Sequence, residues 1–213
     1  MHAWLSALDA GVLDIDANLA LWCSPSTWRE QLMSFETSRQ LIDAQGRGRI
    51  SATAVKFFAD GVIEAGTGAL LQPYCDCPHS YGMPNWERDE LALAVTAIDA
   101  LGFDAHIHAI GDAAIRNALD AMESAIRANP ARVRHFVIAH TQLVDPVDIP
   151  RFQRLGVTAN FEPLWACMDD DQRVLTRPRL GDERADRQYQ IATMLHTGAS
   201  VSFGSDWPVT NFA

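Results

Sequence analysis

Short apolar, β-rich runs alternate with longer runs of helical period along most of this chain. LDIDANLALWC (13–23) reads as a strand. So does SATAVKFF (51–58), which halts at the turn pair Asp60-Gly61. Residues 62–86 mix Gly, Pro, Cys and Tyr without a period and read as a long loop, a length that usually marks function or disorder. In 87–101, Leu91, Val95, Ile98 and Leu101 recur at helical spacing, with Gly102 as the stop. FDAHIHA (103–109) is the next strand. In 112–128, Ile115, Leu119, Met122 and Ile126 fall on one helical face, with Asp112 as N-cap. VRHFVIAH (133–140) is a strand, and Asp145-Pro146 starts a short helix as cap and first-turn proline. GVTANFEP (156–163) is a strand, and 164–184 is charged and irregular, like a loop. ADRQYQIATMLHTG (185–198) is a helix stopped by Gly198, and ASVSFGSD (199–206) is the last strand.

Strand and helix repeated in this order imply a parallel sheet. The pattern supplies six strands, whereas a closed (β/α)8 barrel takes eight, usually in about 250 residues. The chain has 213 residues and runs only seven beyond Asp206, with no closing helix. The expected fold is therefore α/β, an incomplete (β/α)8 TIM barrel, as a single partial domain over 1–213. That reading makes the chain a fragment or natural truncation of a larger barrel.

Composition narrows the function. Apolar residues are 48% and charged residues 21%, ordinary for a globular protein. A formal charge of −10 argues against nucleic acid and against an anionic membrane surface as partners. No apolar stretch approaches the roughly 20 residues of a membrane span. Cys75 and Cys77 form C-x-C with no second pair, so all four cysteines are expected as reduced thiols without a ligand role. No signal peptide stands at the N-terminus, which points to the cytoplasm. That inference weighs less for a piece of a longer protein.

Three residues carry the candidate chemistry. His108 opens HAIGDAA, His140 ends VRHFVIAH and Asp206 ends VSFGSD, each where an apolar run gives way to polar or Gly-rich residues. The gaps are 32 and 66 residues. A strand–helix unit takes roughly 30, so the gaps read as one unit and then two, placing all three at the same end of parallel strands. Alternation puts Ser202, Gly204 and Asp206 on one face, opposite Val201 and Phe203, which would pack on helices. Phe136, Ile138 and His140 share a face in the same way, as do Ala54, Lys56 and Phe58. Neutral imidazoles and a carboxylate at one mouth suit a divalent metal ion. Singly, each has an ordinary alternative: a hydrogen-bonded structural histidine, a capping aspartate, a partly buried lysine. The common spacing is what favours a site. His106, one layer below His108, reads as a ligand, a donor to a ligand or a core histidine.

The blocks VKFFADG, HAIGDAA, IAHTQLVD, ANFEPLWA and VSFGSDWPV, spread in order over 55–209, resemble the amidohydrolase superfamily. The branch they resemble is the amidohydrolase-3 type, which includes N-substituted formamide deformylases. The resemblance implies that the chain spans about barrel strands 3–8 and lacks strands 1–2, the H-x-H pair of strand one and the small β-sandwich domain. It implies metal contacts at Lys56, His108, His140 and Asp206. Lys56 matches the lysine that can be carboxylated and bridge two ions, and Asp206 matches the catalytic aspartate that contacts the metal-bound water. Zinc is the default ion for nitrogen and oxygen donors in hydrolysis, as one or two ions, with iron and manganese as alternatives. His106, Glu162 and Trp165 are candidates for substrate contact.

The function so implied is hydrolysis of amide- or formamide-type C–N bonds in a small molecule by a metal-activated water. The rival expectation is a non-catalytic barrel remnant that needs its missing segments. An incomplete sheet also exposes edges that invite oligomerisation. A nucleotide site at Gly66-Thr67-Gly68 lacks the third glycine and the strand-to-helix junction, and Ser205 does not stand in G-x-S-x-G.

Overall fold

The computed structural model describes residues 1–210. Six strands, β1 (Ala17–Trp22), β2 (Ile50–Phe58), β3 (Asp104–Ala109), β4 (Val137–His140), β5 (Thr158–Phe161) and β6 (Val201–Phe203), form one sheet in the order β1-β2-β3-β4-β5-β6. Every pairing is parallel. Sequential order with crossover helices is the winding of a singly wound barrel wall, and the six-stranded sheet is consistent with part of a TIM barrel.

The principal helices are α1 (His2–Asp9), α2 (Trp28–Gln45), α3 (Arg88–Ala100), α4 (Asp112–Ala128) and α5 (Ile149–Leu155). The periodic positions do what their spacing requires. Leu91, Val95 and Ile98 of α3, and Ile115, Leu119 and Met122 of α4, are buried. They join Val55, Phe57, Ile107, Ile138 and Phe161 of the sheet, with Phe136 and Val157 just before β4 and β5, in the main core. The opposite face of the sheet carries Lys56, His106, Val137, Asn160 and Ser202 around a cavity. Register aligns Lys56 with His106, His106 with Val137, and Asn160 with Ser202.

Several boundaries differ from the sequence expectation. Residues 24–49 contain the 18-residue α2, which no expectation covered. Its mean polarity is high, and only Trp28, Phe35 and Ile42, seven residues apart, are buried. Residues 164–184 are not wholly irregular: they hold a 3-10 turn at Pro163–Trp165, a π turn at Gln172–Thr176, and α6 (Arg177–Leu180) and α7 (Asp182–Ala185). The helix expected from 185 shortens to α8 (Ile191–His196). α5 starts at Ile149, because Asp145 uses its carboxylate to accept from the Val147 N–H and closes a turn instead of capping. Phe203 does not pack on helices; it is 59% exposed among the described residues.

The long loop 62–86 is tied down by buried carboxylates. Asp60 accepts from the backbone N–H groups of Ala69, Ile110 and Gly111 at 2.8, 3.0 and 2.9 Å. Asp112, expected as a helix cap, sits in the first turn of α4 and turns its carboxylate to the Leu71 N–H at 2.8 Å. Cys23, Cys75, Cys77 and Cys167 are all free thiols.

Candidate active site

The carboxyl ends of β2 to β6 bring the candidate residues to one mouth. Lys56, His106, His140, Glu162 and Asp206 line a common cavity of about 380 Å³. His108 packs beside it, its ring centroid 4.5 Å from that of His140. Trp165 stacks on His140, 5.6 Å between centroids and 5° between planes.

His140 reaches this cavity by an irregular route. Alternation places it on the face of Phe136 and Ile138, but both of those pack in the helix-side core. His140 and Thr141 adopt positive φ, 74° and 46°, and this left-handed backbone turns the imidazole to the mouth. Phe136 and Ile138 point away from the barrel interior, so the face that alternation assigned to all three is not shared by His140.

Hydrogen bonding sets the tautomer of each ring. His108 Nε2 lies 3.0 Å from the Gly61 carbonyl, which can only accept, so Nε2 carries the proton and Nδ1 keeps its lone pair. His140 Nδ1 lies 3.0 Å from Glu162 Oε2, so Nδ1 donates and Nε2 is the free lone pair. Burial pushes His108 down to about 3 and His106 down to about 4, so both rings are neutral near pH 7. Burial also lowers Lys56, against the opposing pull of Asp206 and Glu162. A lysine so lowered is a better nucleophile than an exposed one.

Asp60 carries a signal that sequence reasoning reduced to a turn. Its carboxylate stands 3.6 Å from His108 Nε2. Burial raises it to about 7, against three backbone N–H donors. An acid closing an apolar strand one residue before glycine was the only clue to it. Ser202, placed by alternation on the face of Asp206, does line the cavity, and its hydroxyl accepts at 3.0 Å from Asn160, which the sequence reading did not single out. Alternation along β5 was the available signal for Asn160.

Two buried imidazoles, each with one nitrogen anchored by a protein oxygen and the other free, have the chemistry and the fixed orientation that a divalent metal takes from histidine. The count of donors is incomplete. Among the described residues, no three or more His, Cys, Asp and Glu side chains form a group that could hold a metal ion. Lys56 stands outside that count, and would add oxygen donors in carboxylated form.

The same order of blocks extends to known proteins. A family model described as "Amidohydrolase family" matches residues 16–213. The chain belongs to the amidohydrolase family. It is 35% identical over 158 residues to "Protein LONG AFTER FAR-RED 3" of Arabidopsis thaliana, covering 74% of this chain and 27% of that protein. It is 30% identical over 159 residues to "Exoenzymes regulatory protein AepA" of Pectobacterium carotovorum, covering 73% and 33%. An uncharacterized metal-dependent hydrolase from Pyrococcus furiosus superposes with a TM-score of 0.78 at 29% identity, over 98% of this chain and 40% of that one. The chain thus spans a third or less of the curated relatives it matches. Among the described residues, no helix is long and apolar enough to cross a membrane.

Proposed function

We propose that this chain supplies the β2–β6 half of the active site of a metal-dependent hydrolase that cleaves C–N bonds of amide or formamide type in a small molecule. The observation that carries this reading is the His108–His140 pair, with Nδ1 of one and Nε2 of the other left free beside Lys56 and Asp206. His108 and His140 would hold a divalent ion, zinc by default, with carboxylated Lys56 and Asp206 completing its contacts. When bound, such an ion polarises a carbonyl and lowers the pKa of water from 15.7 to about 7.

The chain's own groups do the rest. Glu162 holds the proton on His140 Nδ1 and keeps the ring oriented. Asp206 accepts a proton at a carboxylate oxygen from the attacking water and passes it to the leaving nitrogen, a general base and then a general acid. His106 and Trp165 line or flank the space where the amide would lie. The products are a carboxylic acid and an amine.

The test has two parts on the 213-residue chain. Titration with Zn²⁺ and Mn²⁺ should raise the melting temperature, and a His108→Ala/His140→Ala double variant should lose the rise. The metal-loaded protein is then assayed for amine release from a panel of N-substituted formamides. Absence of any metal-dependent stabilisation would overturn the site.

A second reading, a barrel piece that binds an ion without turnover, is favoured by the incomplete donor group. Metal-dependent stabilisation with no amine release across the panel would select it.

A further inference from the structure

A second, larger cavity of about 700 Å³ opens at the same mouth and shares Trp165 with the site just described. Its chemistry is distinct. Trp165, Tyr189, Leu164 and Ile110 give it apolar walls, while Glu64, Asp169 and Asp171 put three carboxylates on its lining. No lysine or arginine among the described residues lines it. Among the described residues, none of the three carboxylates forms an ion pair. Glu64 accepts from the Thr176 hydroxyl at 2.7 Å, and Asp169 from the Gln172 N–H at 2.8 Å.

An independent feature points to a ligand. Gln142 and Gln172 are 2% and 8% exposed, and both line this cavity. They are linked through Gln188: Gln142 Nε2 donates to Gln188 Oε1 at 2.8 Å, and Gln188 Nε2 donates to Gln172 Oε1 at 3.0 Å. The relay leaves Gln142 Oε1 without a donor among the described residues. The free amide oxygen of a buried glutamine, beside three carboxylates without ion pairs and two aromatic rings, calls for hydrogen-bond donors that carry positive charge. The local field agrees: burial, and then the charges of Glu64, Glu162 and Asp169, push the Tyr189 phenol upward.

We propose that this cavity is a specificity pocket for a cationic ammonium on an aryl or alkyl body. The substrate class that follows is an amide bearing a second, protonated amine remote from the scissile bond. The ammonium binds Glu64, Asp169 and Gln142, and the apolar body lies along Trp165 and Tyr189. The binding half stands on the cavity alone. The word substrate rests on the hydrolase reading above.

The experiment is calorimetric titration of the 213-residue chain with three probes of one shape: 2-phenylethylamine, 2-phenylethanol and 3-phenylpropanoate. The amine should bind about tenfold more tightly than the alcohol, and more tightly still than the carboxylate. Its advantage should shrink as salt rises from 20 to about 500 mM. Quenching of tryptophan fluorescence by the amine should disappear in Trp165→Phe. Glu64→Gln/Asp169→Asn should reduce the amine's advantage to less than about threefold, with the circular dichroism spectrum unchanged. Should that pair fail to fold, the exposed Asp171→Asn is expected to lower the advantage about twofold. Equal affinity for amine and alcohol, or an advantage that survives neutralisation, overturns the pocket. Amine binding by a chain that shows no metal-dependent stabilisation retains the pocket and removes the hydrolase reading. Metal stabilisation without charge preference does the reverse.

Discussion

His140 shows how much one backbone torsion can decide. Its positive φ takes it out of the core-facing series and sets it between His108 and Trp165, where Glu162 fixes its tautomer. Removing that carboxylate should cost metal affinity without removing a ligand. Glu162→Ala is expected to weaken Zn²⁺ binding roughly 10–100-fold. Glu162→Gln, which can still accept from Nδ1, should lose less. Competition against a chromogenic chelator reads both, and a Glu162→Ala chain with unaltered affinity would refute the role. Asp60 makes a different demand. An amide in its place offers one accepting oxygen and an NH₂ group to three inward-pointing N–H donors, so at least one goes unpaired. Asp60→Asn should therefore destabilise by about 2–3 kcal/mol in urea melts. Histidines and an acid at strand ends were legible as letters. Which ring nitrogen each leaves free was not, because that depends on Gly61 and Glu162, brought in from other segments.

Among the elements, α4 was the most legible and shows why. Its apolar stripe is complete, and Met122 is fully buried against the sheet. Met122→Ala should cost about 3 kcal/mol, measured by chemical unfolding. The residue before α4 adds a constraint that no period reveals. A Cβ on Gly111 would lie 2.0 Å from the Ala69 carbonyl oxygen, so the loop 62–86 and the start of α4 can approach only across a hydrogen atom. Gly111→Ala should destabilise by about 3 kcal/mol. Gly156→Ala, with open space around it and a φ of +67°, should lose only about 1 kcal/mol. Equal losses at the two glycines would refute the contact. α2 escaped the sequence reading because a polar helix resting on three side chains has too narrow a stripe to stand out.

Across the chain as one body, the foot of the sheet is held by charge. Asp99, 3% exposed, accepts from Arg132, Arg134 and Asn129, while Asp104 takes a further bond from Arg132. Burial alone would raise Asp99, but these partners outweigh it and hold the carboxyl below its ordinary value. A carboxylate lowered in the folded state adds stability above its unfolded pKa of about 3.9 and loses it as pH falls through the folded value. The Asp99 contribution should thus be level from pH 7 to 5 and drop below about 4, separate from the loss that begins near pH 6.5 as His106 and His108, held neutral in the fold, protonate in the unfolded chain. Asp99→Asn should be about 3 kcal/mol less stable at pH 7 and should flatten that drop, as measured by urea melts across pH. A variant with the same acid limb as the parent would refute the assignment.

Period and punctuation along the chain sufficed to specify six strands, their parallel order and the stripes of α3 and α4, because local spacing decides which face is apolar. The same letters placed Lys56, His108, His140 and Asp206 near strand ends. Folding alone settled the lone pair each imidazole keeps, the burial of Asp60 against three amide donors, and the joining of Glu64, Asp169 and Gln142 around one cavity. Those properties arise between segments far apart in sequence, where desolvation and hydrogen bonding depend on neighbours that no local pattern contains.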